Sequence, residues 1–217
     1  MPERILITGG DGSTARVIAS LFRQIDSSAE IYLPSRREMD MTNASQIVKY
    51  IRQHPCDLLI CAAGCTDDQL LGKTTEETWD HIIQVNLRGA ALCAKEASKS
   101  MLKKRCGHVI FISSYSALHP PAGQVAYASA KAGLIGLTKA LAKEWGRANI
   151  RVNTILPGFM ENQMTKNINE KRKESVLSEH ALQRFTTGDQ VAQMILLLHR
   201  SLIHTSGQLF NLDSRII

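Results

Sequence analysis

Apolar positions along this chain alternate between short continuous runs and stretches with a period of about 3.6 residues, which predicts strands followed by helices. Arg4 to Thr8 reads as a strand running into Gly9-Gly10-Asp11-Gly12, and Ala15 to Ile25 as a helix. Glu30 to Leu33 is a second strand. Thr42 is read as the N-cap of a helix that carries Ile47, Val48 and Ile51. Asp57 to Ala63 is a buried strand ending at Gly64, and Glu76 to Met101 follows as one long helix. His108 to Ser113 is a strand, and the helix bearing Tyr127 and Lys131 runs to about Arg147. Arg151 to Ile155 is a strand stopped by Pro157-Gly158, and residues 159–187 read as a polar loop with short helices. Gly188 to Arg200 is a helix and Gln208 to Leu212 the last strand.

Strands alternating with helices predict an α/β fold. The expected form is a doubly wound parallel sheet with helices on both faces and its ligand site at the strand carboxyl ends. The 217 residues suffice for one domain, with a cofactor half over about 1–105 and a catalytic and substrate half over about 106–217. No repeat, low-complexity tract or linker interrupts the pattern.

Composition narrows the class. Hydrophobic residues at 44% and charged residues at 21% are ordinary for a globular protein. No apolar stretch approaches the roughly 20 residues that span a bilayer, and the N-terminus enters a strand at once, leaving no room for a signal peptide. The five cysteines lack Cys-x-x-Cys spacing, so free thiols in a reducing cytoplasm are expected. The seven histidines make no i,i+4 ligand pair, and no metal site is expected. The net charge of +6 fits a solvated basic surface, a phosphorylated cofactor or an acidic partner. Nucleic acid is not expected, because aromatics are only 5% and no basic-aromatic motif occurs.

Two patterns carry chemistry. The first is Thr8-Gly9-Gly10-Asp11-Gly12-Ser13-Thr14 between a strand and a helix, where backbone N–H groups and a helix N-terminus suit a dinucleotide pyrophosphate. The second strand should end near the adenosine ribose. It is followed by Pro34-Ser35-Arg36-Arg37 and by no acid, which favours NADP over NAD, unless both arginines are merely solvated. Asp40 is read as an acceptor for the adenine amino group or, alternatively, as part of the next helix cap.

The second pattern is Tyr127-Ala-Ser-Ala-Lys131, with Ser114 standing 13 residues before the tyrosine. Tyrosine and lysine at i and i+4 share one face of a helix. There an ammonium is expected to lower the phenol pKa from about 10, so that the phenol exchanges a proton with a carbonyl oxygen. Ser114 would hydrogen-bond that same oxygen.

These residues resemble the short-chain dehydrogenase/reductase family across nearly the whole chain. Ser114, Tyr127 and Lys131 match its catalytic triad, and Asn86 in Gln84-Val85-Asn86-Leu87 matches the asparagine that joins it. Leu156-Pro157-Gly158-Phe159 matches its Pro-Gly motif, and the segment Ser206 to Asp213 its C-terminal motif. The resemblance implies a Rossmann-like fold, a nicotinamide cofactor and carbonyl/alcohol interconversion. It adds Met41, Ala62, Ala63, Gly64, Pro157, Gly158, Met160 and Asn162 to the cofactor site, together with Tyr127 and Lys131. It gives Asn86 the role of anchoring a water that links Lys131 to solvent.

Departures from the family pattern are informative. Ser13 and Ala15 occupy later glycine positions of the usual turn. Only three residues separate Arg37 from Met41, so the usual helix between the second and third strands cannot fit; a helix is lost or a strand merged. Ser214-Arg215 stands where Gly-Gly is usual.

The back half resembles the 3-oxoacyl-acyl-carrier-protein reductases. That likeness leaves three readings: reduction of an acyl thioester on an acyl carrier protein, with Arg105 and Arg147 near the carrier; reduction of a free polar ketone; or a non-catalytic cofactor-binding scaffold. Residues 159–187, with Lys166, Lys171, Arg172 and Lys173, are read as a lid that sets substrate choice. The family implies a homodimer or homotetramer through two helices. Ala90, Ala91, Ala94, Ala132, Leu134, Ile135 and Leu137 would form that interface, or would simply pack on the sheet.

Overall fold

The computed structural model describes residues 2–162, 164–166 and 168–215; Gln163 and Asn167 of the expected polar loop lie outside the described residues. Six strands form one parallel sheet: β1 (Arg4–Ile7), β2 (Glu30–Tyr32), β3 (Leu58–Cys61), β4 (Gly107–Ile112), β5 (Ile150–Leu156) and β6 (Leu209–Asn211). Their order across the sheet is β2-β1-β3-β4-β5-β6, so the chain reverses direction between β1 and β3. In such sheets a ligand cleft opens at the carboxyl ends flanking that reversal.

Among the described residues there are seven α-helices: α1 (Ser13–Ile25), α2 (Ala44–Gln53), α3 (Glu76–Ile83), α4 (Gly89–Lys104), α5 (Val125–Trp145), α6 (Glu170–Glu179) and α7 (Gly188–Arg200). On one face Ile18, Ala19 and Phe22 of α1 and Val191, Ile195 and Leu198 of α7 pack on Ile5, Ile7, Leu58 and Ile110. On the other, α2, α4 and α5 pack on Leu6, Leu59, Val109 and Phe111. Burial from both sides is why β3 and β4 read as unbroken apolar runs rather than alternating ones.

The α/β class and the strand–helix order agree with expectation, and Gly188–Arg200 falls where the periodicity put it. Two local expectations are corrected. Asn43, not Thr42, caps α2, its side chain accepting from the Gln46 N–H. The single helix expected over Glu76 to Met101 is divided by a π-helical turn at Gln84–Arg88. Between β2 and α2 there are only turns, so both the helix and the outer strand usual at this edge are absent among the described residues. In addition, Ala90, Ala94 and Leu134 are buried within the chain's own core and offer no outer face.

Candidate active site

The turn after β1 and the loop after β3 are stitched together at the reversal. Thr8 Oγ1 accepts from the N–H groups of Ala62 and Ala63 at 3.1 and 3.0 Å. Gly9 has φ of +76°, and a Cβ there would sit 2.9 Å from Ala63 Cα, so only glycine lets the two loops meet. Gly12 precedes α1 without any side-chain cap, and the first turn of α1 carries no acid. By contrast α2, α6 and α7 are each capped by a side chain. First-turn N–H groups left this way suit an anionic phosphate, so Thr8, Gly9, Gly10, Gly12, Ser13 and Thr14 fit the pyrophosphate of a dinucleotide.

Beyond β2 the polar groups are paired among themselves. Arg36 Nε lies 3.3 Å from Asp40 Oδ2 with its side chain 72% exposed. Asp40 also accepts from Thr42 N and Oγ1, each at 2.8 Å. The Thr42 amide, ahead of the Thr42 hydroxyl and Arg36, holds its carboxyl below the usual range. Asp40 therefore closes the turn before α2, the alternative open to it at the sequence level. Arg37 is exposed at the same edge. Arg16, not anticipated from the sequence, reaches back from α1 to Gly10 O at 3.3 Å.

The catalytic candidates converge from three elements. Ser114 leaves the end of β4 in an extended conformation, and its Oγ accepts from Ser116 N at 3.1 Å, leaving the hydroxyl proton free to donate. Tyr127 lies in the first turn of α5, and Lys131 follows one turn later, its Nζ 5.6 Å from the centre of the tyrosine ring. Lys131 is 4% exposed and donates to Ile112 O at 2.9 Å. Ser113, also buried, donates to Lys131 O at 2.8 Å and fixes α5 against β4.

The expected electrostatics need correcting. Burial pushes the Tyr127 phenol up to about 12 rather than down, with the Ser114 hydrogen bond only partly opposing it. Burial likewise brings Lys131 down to about 8, close to neutrality. An isolated buried cation is costly, so the lysine gives way before the phenol ionises. The phenol thus keeps its proton in this setting, and burial weakens the hold of Lys131 on its own.

Asn86 sits in the π-helical turn and is 1% exposed. Its Nδ2 donates to Cys65 O at 2.8 Å and Ile82 O at 2.9 Å, and its Oδ1 accepts from Cys65 N at 3.3 Å. This side chain is committed to the loop after β3. The π turn aims it: a regular helix would rotate Asn86 away from Cys65. Gly64 lies between Asn86 and Lys131, since a Cβ there would stand 2.9 Å from Asn86 Oδ1 and 3.4 Å from Lys131 Nζ.

A cavity of about 800 Å³ runs from Thr14 and Ala62 past Ser114 and Tyr127 to Val176 of α6. Pro157, Gly158, Met160 and Asn162 line it, as the resemblance implied. Asn162 Oδ1 is engaged by Met164 N at 2.8 Å. The far wall was not anticipated. Arg215 stacks 3.5 Å above the Tyr115 ring, pairs with Asp213 at 2.6 Å, and faces Glu179 of α6 at 3.6 Å. Its place in a usual Gly-Gly pair was the one available signal. Arg172 also lines the cavity, whereas Lys173 is paired with Glu161 and Glu170.

The family described as enoyl-(acyl carrier protein) reductase matches residues 5–214. The protein belongs to the short-chain dehydrogenase/reductase family. It is 40% identical over 162 residues to the 3-oxoacyl-[acyl-carrier-protein] reductase FabG of Thermotoga maritima, covering 74% of this chain and 66% of that protein. It is 34% identical over 212 residues to a 3-oxoacyl-[acyl-carrier-protein] reductase of Synechocystis, covering 97% of this chain and 83% of the relative. A solved structure titled "ElxO with NADP Bound" superposes with a TM-score of 0.87 at 26% identity, covering 99% of this chain and 98% of that one. By family this chain is therefore a short-chain oxidoreductase, built on the six-stranded sheet described above.

Proposed function

We propose that this protein reduces the ketone of a 3-oxoacyl thioester presented by an acidic acyl carrier protein, using NADPH in preference to NADH. The observation that carries the reading is one continuous cavity joining the uncapped α1 turn to Ser114, Tyr127 and Lys131. The relatives named for this reaction support the substrate class. Arg105 supports the carrier: its Nη2 donates to Arg147 O at 2.6 Å, which sets two exposed arginines side by side beside Lys103. Arg16, Arg36 and Arg37 at the β2 end support NADPH.

The nicotinamide cofactor, when bound, supplies the hydride. Ser114 Oγ–H and the Tyr127 phenol hydrogen-bond the substrate carbonyl oxygen, polarise it and hold it in place. Tyr127, kept protonated by its buried surroundings, donates its proton to that oxygen as charge develops there. A protonated Lys131 beside it stabilises the phenolate left behind. Asn86 holds the Gly64–Cys65 loop so that Lys131 has a fixed neighbour.

Ala91, Ala132 and Ile135, which remain at least partly open on α4 and α5, support a homodimer or homotetramer through these helices. Five free thiols suit a cytoplasmic setting. The polar far wall with Arg172 and Glu179 favours a second reading, a free polar ketone. Steady-state rates on a 3-oxoacyl carrier thioester and on the matching small thioester separate the two. At least a tenfold higher kcat/KM on the carrier form, lost when Arg105 and Arg147 are both made glutamate, is expected. Equal rates on both forms contradict the carrier.

A further inference from the structure

The Ser35 donors and the Arg36 backbone N–H, which a phosphate would use at the end of β2, are already claimed by carboxylates. Ser35 N–H and Ser35 Oγ–H both donate to Glu38 Oε2, at 2.8 and 2.7 Å. The Arg36 N–H donates to Asp11 Oδ2 at 2.8 Å. Glu38 closes a local turn, but Asp11 arrives from the other side of the cleft. It can do so because Gly10 lies against the strand end: its N–H donates to Pro34 O at 2.9 Å, and a Cβ on Gly10 would meet Leu33 O at 2.4 Å. The acid that the second strand lacks in sequence is thus supplied by the glycine turn, 25 positions away.

We propose that Asp11 is a specificity-determining residue for the cofactor: its carboxylate sits in the anion seat at the β2 end and sets the balance between a nucleotide 2′-phosphate and a 2′-hydroxyl. A carboxylate there accepts from a hydroxyl but repels a phosphate and competes with it for the Arg36 N–H. Arg16, Arg36 and Arg37 pull the balance the other way, with Arg36 itself partly neutralised by Asp40. Asp11 and Glu38 also repel one another across the seat. The inference rests on the NADPH reading and limits its strength.

The test is calorimetric titration of 5′-AMP and 2′,5′-ADP, which differ only by the 2′-phosphate, on wild type and Asp11→Asn. Asparagine keeps an oxygen for the Arg36 N–H and removes only the charge. The variant should bind 2′,5′-ADP about five times tighter or more at low salt, with 5′-AMP changed less than about twofold and the gain shrinking as salt is raised. Asp11→Ala, which frees the Arg36 N–H as well, should gain at least as much. A wild type that binds both nucleotides equally, with Asp11→Asn still gaining for 2′,5′-ADP alone, supports the role of Asp11 and overturns the NADPH preference. Unchanged or weaker 2′,5′-ADP binding in a folded Asp11→Asn overturns the proposal for Asp11, whatever the wild type prefers.

Discussion

At the amino ends of β1, β4 and β5 the polar side chains close on one another, whereas at the carboxyl ends they are left facing a cavity. The amino-end network has one consistent hydrogen pattern. The Gln208 N–H donates to Asn153 Oδ1 at 3.1 Å, which orients the amide so that its Nδ2 donates to His108 Nε2 and Thr205 O. His108 must then donate from Nδ1 to His199 Nδ1 at 3.2 Å, and His199 from Nε2 to Glu3 at 2.7 Å. Arg151 completes the end by donating to the carbonyls of Leu198, His199 and Leu202 at the close of α7. Both ring nitrogens of each histidine find a partner in this pattern. Across the sheet Ser114, Tyr127 and Lys131 line the cavity, Lys131 has one backbone partner, and the α1 N-terminus is uncapped. The difference teaches where this fold places stability and where it keeps chemistry.

Breaking the amino end should cost stability and leave turnover alone. Asn153→Ala removes the group that orders the chain of donors and strands His108 Nε2 and the Gln208 N–H. Each buried donor or acceptor left unsatisfied costs about 1–3 kcal/mol, so a total loss of roughly 2–5 kcal/mol is expected. Urea unfolding measures it, and kcat per folded molecule should stay within about twofold of wild type. A large fall in kcat with unchanged stability would erase the division between the two ends.

The smaller effect is in pH. Burial, then Arg151 and then His199 drive His108 well below its ordinary value, so the folded protein keeps it neutral where the unfolded chain takes a proton. The groups facing it are His199, Asn153, Arg151 and, through His199, Glu3. Stability is then full above about pH 6.5 and falls below it by up to about 1.4 kcal/mol per pH unit. Glu3 adds a second loss at lower pH, because its hydrogen bond from His199, ahead of the opposing cost of burial, holds its carboxyl down. Denaturant titrations between pH 5 and 8 should show the first slope in wild type and a shallower one in His108→Asn. A wild type whose stability is flat across that range contradicts the neutral network.

The two ends also differ in how far the sequence revealed them. The alternation of apolar runs and helical periodicity was enough for the sheet, because strands buried on both faces leave a plain signature. Gly188–Arg200 was legible because its apolar period is regular, and the structure adds a capping box at Thr187 and Gln190. Ser114, Tyr127 and Lys131 were legible because the i,i+4 pair is local and the serine ends a strand. Their ionisation was misread, since burial depends on what α5 packs against and not on spacing. The π turn at Asn86 was hidden because one extra residue barely disturbs a 3.6 period. The link from Asp11 to Arg36 and the His108–His199 pair join residues far apart in sequence. No local pattern carries contacts of that kind.

The central claim is that the carboxyl end performs reduction with Tyr127 as its acid. The most direct test measures NADPH oxidation with a 3-oxoacyl thioester by wild type and Tyr127→Phe, with NADPH binding followed by fluorescence on the same samples. The account predicts a fall in kcat of about three orders of magnitude or more, with NADPH affinity within about threefold and unfolding unchanged. Retention of more than about a tenth of the activity by a folded, NADPH-binding Tyr127→Phe would contradict it.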